Sequence, residues 1–250
     1  FVVFTNIAQK IQFARKGQIL YLSLHVKIVL ISTAVLIVSG FVFTFISFYK
    51  TSLWELPLSK RILTALFESV TLRTAGFETI PQTSFTSSAS LFHLVLMFIG
   101  GSPGSIAGGV KTTTAFITLL YLLDGNEQRT TVSFANRRIP STIINKSITI
   151  VSRSVLILLI SAISLSYVEN HLISNGTISL IDIIYESVSA LATVGLSRGL
   201  TPQLSFLGKL IIIITMYIGR TGIYAMSIKS GFTGSDNEDL IYPEESLLVG

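Results

Sequence analysis

The sequence contains no cysteine, which removes disulfide frameworks, thiolate metal sites and cysteine nucleophiles while leaving the redox compartment open. Charge is scarce as well: 12% of the 250 residues are charged, whereas a soluble domain carries about 25%. That deficit argues against soluble enzymes, disordered tails and nucleic-acid binders. An initial Met and a charged signal n-region are also missing, Phe1 standing first, so a fragment of a longer protein is expected. What is there instead is apolar. Half of the residues are hydrophobic, at 50%, and the mean hydropathy is +0.69. The expected class is therefore an all-α membrane protein. The excess of 18 Lys+Arg over 13 Asp+Glu, a net +5, then reads as membrane topology and not as a nucleic-acid footprint.

Crossing a bilayer core of about 30 Å takes about 20 helical residues. Ile28 to Tyr49 carries no charge and is long enough. Ser87 to Val110 is long enough too, with His93 its only titratable group, but its glycine-rich second half cannot form an ordinary helix. Ile148 to Val168, containing Arg153, and Leu204 to Ile228, containing Lys209 and Arg220, complete four predicted spans. Phe1 to Phe13 reads as the end of a fifth.

Between the first two spans, and again between the last two, lies a segment too short to cross: Ser59 to Leu72 and Ser179 to Ala192. At about 1.5 Å per residue each reaches only part of the way through. Ser179 and Asp182 have capping-box spacing, which marks a helix start. Each segment is therefore expected to be a re-entrant half-helix.

The two half-helices and their sequels match: LFESVTLRTAGF at 66–77 against IYESVSALATVGL at 184–196. Glu68 and Glu186 fix the repeat period near 118 residues. The unit is span, half-helix, extended glycine-containing stretch, span, a pattern closest to the repeated pore-helix units of potassium channels. Irregular backbone at membrane depth is tolerable only when packed in protein or lining a wet cavity. Thr193-Val194-Gly195 reproduces the start of the TVGYG loop, whose carbonyls replace a potassium ion's hydration shell. Thr74-Ala75-Gly76-Phe77 is its counterpart, and Leu196 that of Phe77. Gly76 and Gly195 can turn a carbonyl toward an axis at small steric cost. The half-helix C-termini would direct partial negative charge there. Simple turns between packed helices are the plainer alternative.

RTAGF, GGSPGSIAGGVKTTT, ATVGLSRGLTP and IGRTG together resemble the Ktr/Trk/HKT superfamily of potassium transporters, most closely the C-terminal half of a bacterial Ktr-type membrane subunit. In that family one chain carries four such units around a central pathway, and two are present here. The resemblance implies the end of a preceding helix and a linker at 1–23, the third unit at 24–122, a cytoplasmic loop at 123–146, the fourth unit at 147–230 and a cytoplasmic tail at 231–250. It implies passive potassium uptake, with no cofactor beyond the transported ion, no enzyme activity and no resident metal. It further implies a homodimer in a bacterial plasma membrane and a cytosolic RCK-type subunit that binds nucleotide. The loop around Asn126, Arg129, Arg137 and Arg138 and the tail 231–245 would meet that subunit; as plain solvated connectors they would need no partner.

Gly100, Gly101, Ser102, Pro103, Gly104, Ser105, Gly108 and Gly109 interrupt the second span, and a broken intramembrane helix is a candidate gate. Close helix packing through small residues is the alternative. By resemblance this stretch is a mobile loop beneath the filter. Lys111 belongs to it: a Walker reading fails because Val110 separates Gly109 from the lysine. Arg220, deep in the fourth span, costs a few kcal/mol unless it faces a cavity or partner. By resemblance it is the pore-facing arginine that meets the loop; snorkelling toward the interface is the other reading. Arg73 is expected to brace the filter from outside. Glu68 and Glu186, at matching positions, favour structural hydrogen bonding over ion attraction. His25, His93 and His171 lack ligand spacing.

With both units oriented alike, Lys10, Arg15, Lys16, Lys27, Arg129, Arg137, Arg138, Lys146, Arg153 and Lys229 fall on one side. Lys50, Lys60, Arg61, Arg73, Arg198 and Lys209 fall on the other. The positive-inside rule puts the first set in the cytoplasm and the filters outside. A sodium-selective or sodium-coupled cation/solute transporter is the second reading, since such proteins also use broken helices. A membrane ATPase or a non-conducting scaffold is less well supported.

Overall fold

The computed structural model describes residues 2–15, 22–124 and 132–221. It is built mostly of helices: α1 (Val2–Arg15), α2 (Leu24–Ser47), α3 (Leu58–Thr71), α4 (Ser87–Phe98), α5 (Thr112–Asp124), the strands β1 (Val132–Phe134) and β2 (Arg137–Ile139), then α6 (Ser141–Val168), α7 (Asn170–Ser174), α8 (Leu180–Ala192) and α9 (Phe206–Thr221). Among the described residues α2 and α6, of 24 and 28 residues, are long and apolar enough to cross a membrane. Ser23 starts α2 by accepting the Val26 N–H.

The second predicted span is helical only in its first half: α4 stops at Phe98, the glycine-rich residues after it form a loop, and α5 begins at Thr112, beyond the predicted end at Val110. The third span starts earlier than its hydropathy indicates. Polar residues such as Asn145, Lys146 and Ser147 hid its first turns from an apolar-run criterion, and α6 begins directly after Pro140, whose φ of −62° suits a helix entry. The region assigned to a loop at 123–146 accordingly includes the last two residues of α5 and the start of α6. Its described middle is a hairpin with Val132 opposite Ile139. Ala135 and Asn136, at φ 51° and 61°, make the two-residue turn. Val132 and Ile139 are buried against Ile117 and Ile144, so this part of the loop is anchored to the helix ends. Arg129, Lys16, Lys229, the end of the fourth span and the tail lie outside the described residues.

α3 and α8, of 14 and 13 residues, are too short to span. Both boundaries fall within one residue of the expected ones. The Asp182 carboxylate accepts the Ser179 backbone N–H at 2.8 Å, the interaction its spacing suggested. α3 lies against α2, where the Ser69 hydroxyl donates to the Ile37 carbonyl at 2.7 Å. Nine residues of α8 are buried, eight of them consecutive from Tyr185 to Ala192; it lies among α4, α6 and α9. One apolar cluster joins the two units: Leu72, Leu96 and Met97 from the first, Tyr185, Val188, Ala192, Val194 and Leu196 from the second. Polar pairs pin the long helices, Thr44 to His93 at 3.3 Å and Ser161 to Thr215 at 2.8 Å. His93 is thus held as a buried structural group.

Candidate ion-conducting site

Both half-helices end where the expected filter segments begin. Past α3, the Ala75 and Gly76 N–H groups both donate to the Thr71 carbonyl at 3.1 Å. Past α8, the Val194 N–H donates to the Ser189 carbonyl at 2.9 Å, and the Gly195 N–H to the Ser189 hydroxyl at 3.2 Å. The described peptides are all trans. In a trans peptide the C=O points opposite to the N–H. The carbonyls of Thr74, Ala75, Thr193 and Val194 are therefore turned away from the half-helices.

Backbone hand supports the same arrangement in both units. Thr74 and Gly76 have φ of 71° and 75°, Thr193 and Gly195 of 53° and 94°, while Ala75 and Val194 between them do not have positive φ. Left-handed φ at a threonine is uncommon and costs energy that the surroundings must offset. The two segments also touch. A Cβ on Gly76 would overlap the Val194 carbonyl oxygen, so only glycine permits this approach. The Phe77 carbonyl departs from the pattern, since it accepts the Thr71 hydroxyl at 2.7 Å. The Leu196 side chain is buried in the core between the units.

Thr71 and Ser189 occupy the same place in the repeat, directly after ESV, and both brace the segment that follows. The sequence reading did not single them out, although the alignment of the two units contained the signal. Glu68 and Glu186 likewise bond to the chain beyond the filter. Glu68 accepts Gln82 Nε2 at 2.7 Å. Glu186 accepts the Ser197 hydroxyl at 2.7 Å and also the Thr201 hydroxyl.

The glycine-rich loop is a closed excursion from the helix axis. Its neck is stitched by Gly100 N–H to Val110 O at 2.9 Å, Val110 N–H to Phe98 O at 3.0 Å and Thr112 N–H to Gly101 O at 3.1 Å. Its tip, Ser102-Pro103-Gly104-Ser105, closes with Ser105 N–H to Ser102 O at 3.1 Å. Pro and Gly occupy the second and third positions that a type II turn favours, with Gly104 at φ 82°. Lys111 Nζ donates to Ser105 O at 3.2 Å and also to Ala107 O, so its charge serves the loop's own carbonyls. Gly109 stands at φ 66° beside the Phe98 carbonyl. Gly108 faces the end of α8, where an added Cβ would overlap Ala192 O and the Thr193 hydroxyl. The loop thus presses on the start of the second filter segment.

Arg220 Nη1 donates to Ile106 O at 2.6 Å, joining α9 to the loop. Arg73, expected as a brace beside the filter, donates from its guanidinium to Gly100 O at 3.0 Å, and it lines a cavity of about 470 Å³ together with Thr74, Ser105, Thr193 and Arg220. A second cavity of about 490 Å³ is lined by Glu186, Gly195 and Ser197 and shares Thr193 and Arg220 with the first. Loop, filter segments and arginines therefore meet in one place.

Residues 3–236 match the TrkH model, described as a cation transport protein. The chain is 33% identical over 234 residues to the potassium/sodium uptake protein NtpJ of Enterococcus hirae, covering 92% of this chain and 51% of that protein. It is 31% identical over 230 residues to the Ktr system potassium uptake protein B of Bacillus subtilis, covering 91% and 50%. The chain spans about half the length of these curated relatives. The crystal structure of the potassium transporter TrkH from Vibrio parahaemolyticus has the same fold, with a TM-score of 0.64 and 19% identity over 81% of this chain and 44% of that one. On this match across nearly its whole length, the chain belongs to the TrkH cation transport family, whose members are membrane transport proteins and not enzymes.

Proposed function

We propose that this chain forms part of a passive potassium uptake pathway, in which the segments 74–77 and 193–196 contribute two of four filter walls. One observation carries the reading: in both units the N–H groups after the half-helix turn back to Thr71 or Ser189, which leaves the preceding carbonyls free to face an ion. Thr74, Ala75, Thr193 and Val194 supply the outward-turned carbonyls. Phe77 and Leu196 close the segments. The loop 100–109, held by Lys111, Arg73 and Arg220, acts as the gate, because moving it alters both the steric block and the placing of two cations near the path. The setting is a bacterial plasma membrane, with the chain working as a homodimer under a cytosolic nucleotide-binding subunit.

A sodium-selective or sodium-coupled carrier is the second reading. The name of the Enterococcus hirae relative, a potassium/sodium uptake protein, favours keeping it. The test is initial potassium uptake in a bacterium without its own uptake systems. It would express the chain alone or extended through its upstream reading frame, each with Gly195→Ser beside it. Uptake that prefers potassium over sodium and is impaired by Gly195→Ser supports the filter. Unchanged relative permeability in that variant removes it, and movement that depends on sodium or an organic solute selects the second reading.

A further inference from the structure

Among the described residues no backbone hydrogen bond joins 74–77 to 193–196, although Val194 O lies close against Gly76. Hydrogen bonds that fix their spacing therefore come from behind. One group that reaches both units is Gln82, six residues past Gly76 and 1% exposed. Its Nε2 donates to Glu68 Oε1 at 2.7 Å and its Oε1 accepts the Tyr185 hydroxyl at 2.8 Å. Its N–H donates to Glu78 Oε1 at 3.0 Å and its carbonyl accepts Arg198 Nη1 at 2.8 Å. All four polar atoms of one residue are thus engaged, two by the first unit and two by the second.

Arg198 extends the connection. Three residues past Gly195, it also donates to the Ser90 hydroxyl at 2.6 Å on α4 and forms an ion pair with Asp182 at 2.7 Å on α8. Tyr185, Glu68 and Ser90 are fully buried. In such an interior hydrogen bonds between buried groups favour one geometry, because slippage leaves further groups unpaired, as Glu68 Oε2 already is, at about 1–3 kcal/mol each. A filter discriminates ions by the placement and field of its oxygens. A lever that fixes the spacing therefore acts on discrimination.

We infer that Gln82 and Arg198, with Tyr185 and Glu68, form a hydrogen-bonded strut that sets the distance between the two filter segments and so tunes the preference for potassium over sodium. These are positioning residues: none of them touches the ion. The inference rests on the filter reading above.

The test compares the ratio of apparent KM values for sodium and potassium in wild type, Tyr185→Phe, Arg198→Lys and the control Gly195→Ser, in the complete reading frame in cells without other uptake systems. The protein in the membrane is quantified in each case. Tyr185→Phe keeps the ring and removes one oxygen. Arg198→Lys keeps the charge, but one ammonium cannot reproduce the planar fork that reaches Asp182, Gln82 and Ser90. Each is expected to lower the ratio about fivefold, the factor equivalent to one net hydrogen bond. The double variant should fall short of the product, because both act on Gln82. Ratios equal to wild type in both variants, alongside a lowered ratio in Gly195→Ser, overturn the strut and leave the filter standing. Less protein with an unchanged ratio overturns it too, as that is what a purely structural role gives. Wild type without potassium preference overturns the filter reading and this inference together.

Discussion

Gly76→Ala and Gly195→Ala separate two costs that filter glycines usually combine. Both residues are left-handed, at φ 75° and 94°, so an alanine at either brings backbone strain of roughly 1–2 kcal/mol. Their surroundings differ. The new methyl at Gly76 overlaps the Val194 carbonyl oxygen, whereas at Gly195 no heavy atom lies within 4 Å of it. Only backbone stands in the way at Gly76, and backbone cannot swing aside as a flexible side chain does. Overpacking of this kind adds about 1–3 kcal/mol. On the scale for a chain of this size the extra loss lowers the unfolding midpoint by roughly 2–12 °C. The assay is thermal unfolding of detergent-purified protein, run alongside competition of potassium uptake by sodium. Gly76→Ala should unfold at the lower temperature and lose more selectivity, since it displaces a carbonyl of the opposite unit. A Gly195→Ala protein as destabilised as Gly76→Ala, or more so, would refute the reasoning.

Two further outcomes concern the loop. Gly108→Ala should force the loop off the end of α8 and raise potassium leak, while Gly104→Ala, at an exposed tip with nothing within 4 Å, should leave flux at the wild-type level; equal leak from the two, measured as uptake without the regulatory partner, would count against the loop as a gate. Arg220→Ala removes an exposed side chain whose bond goes to Ile106 O, so flux and its regulation should change while the unfolding temperature stays within about 2 °C. Wild-type flux and regulation in that variant would refute its role.

Much of this arrangement was legible in the residues. The half-helices declared themselves through their length between longer apolar runs and, in the second, through Ser179 and Asp182, because capping is a local interaction over three residues. The broken span was legible from its glycines, since nothing distant is needed to make such a stretch a poor helix. The start of α6 was not, because hydropathy discounts a polar first turn although Pro140 and the helix-compatible residues after it suffice to begin one. The hairpin was missed because its turn, Ala135-Asn136, lacks glycine and is held by the burial of Val132 and Ile139. What Arg73 bonds to was not legible, because its neighbour in sequence is Thr74, while its partner in space is Gly100, 27 positions on.

The sequence by itself determined the class, the two matching units and the residues that end each half-helix, all of which follow from composition, run length and spacing within a few turns. Tertiary structure alone decided how the units face each other: that Val194 O sits against Gly76, that Gly108 abuts the end of α8, and that Arg198 and Tyr185 converge on Gln82. Those pairings join residues more than eighty positions apart. No local propensity encodes them; they exist because buried polar groups must find partners and because backbone can approach backbone only where a side chain is missing.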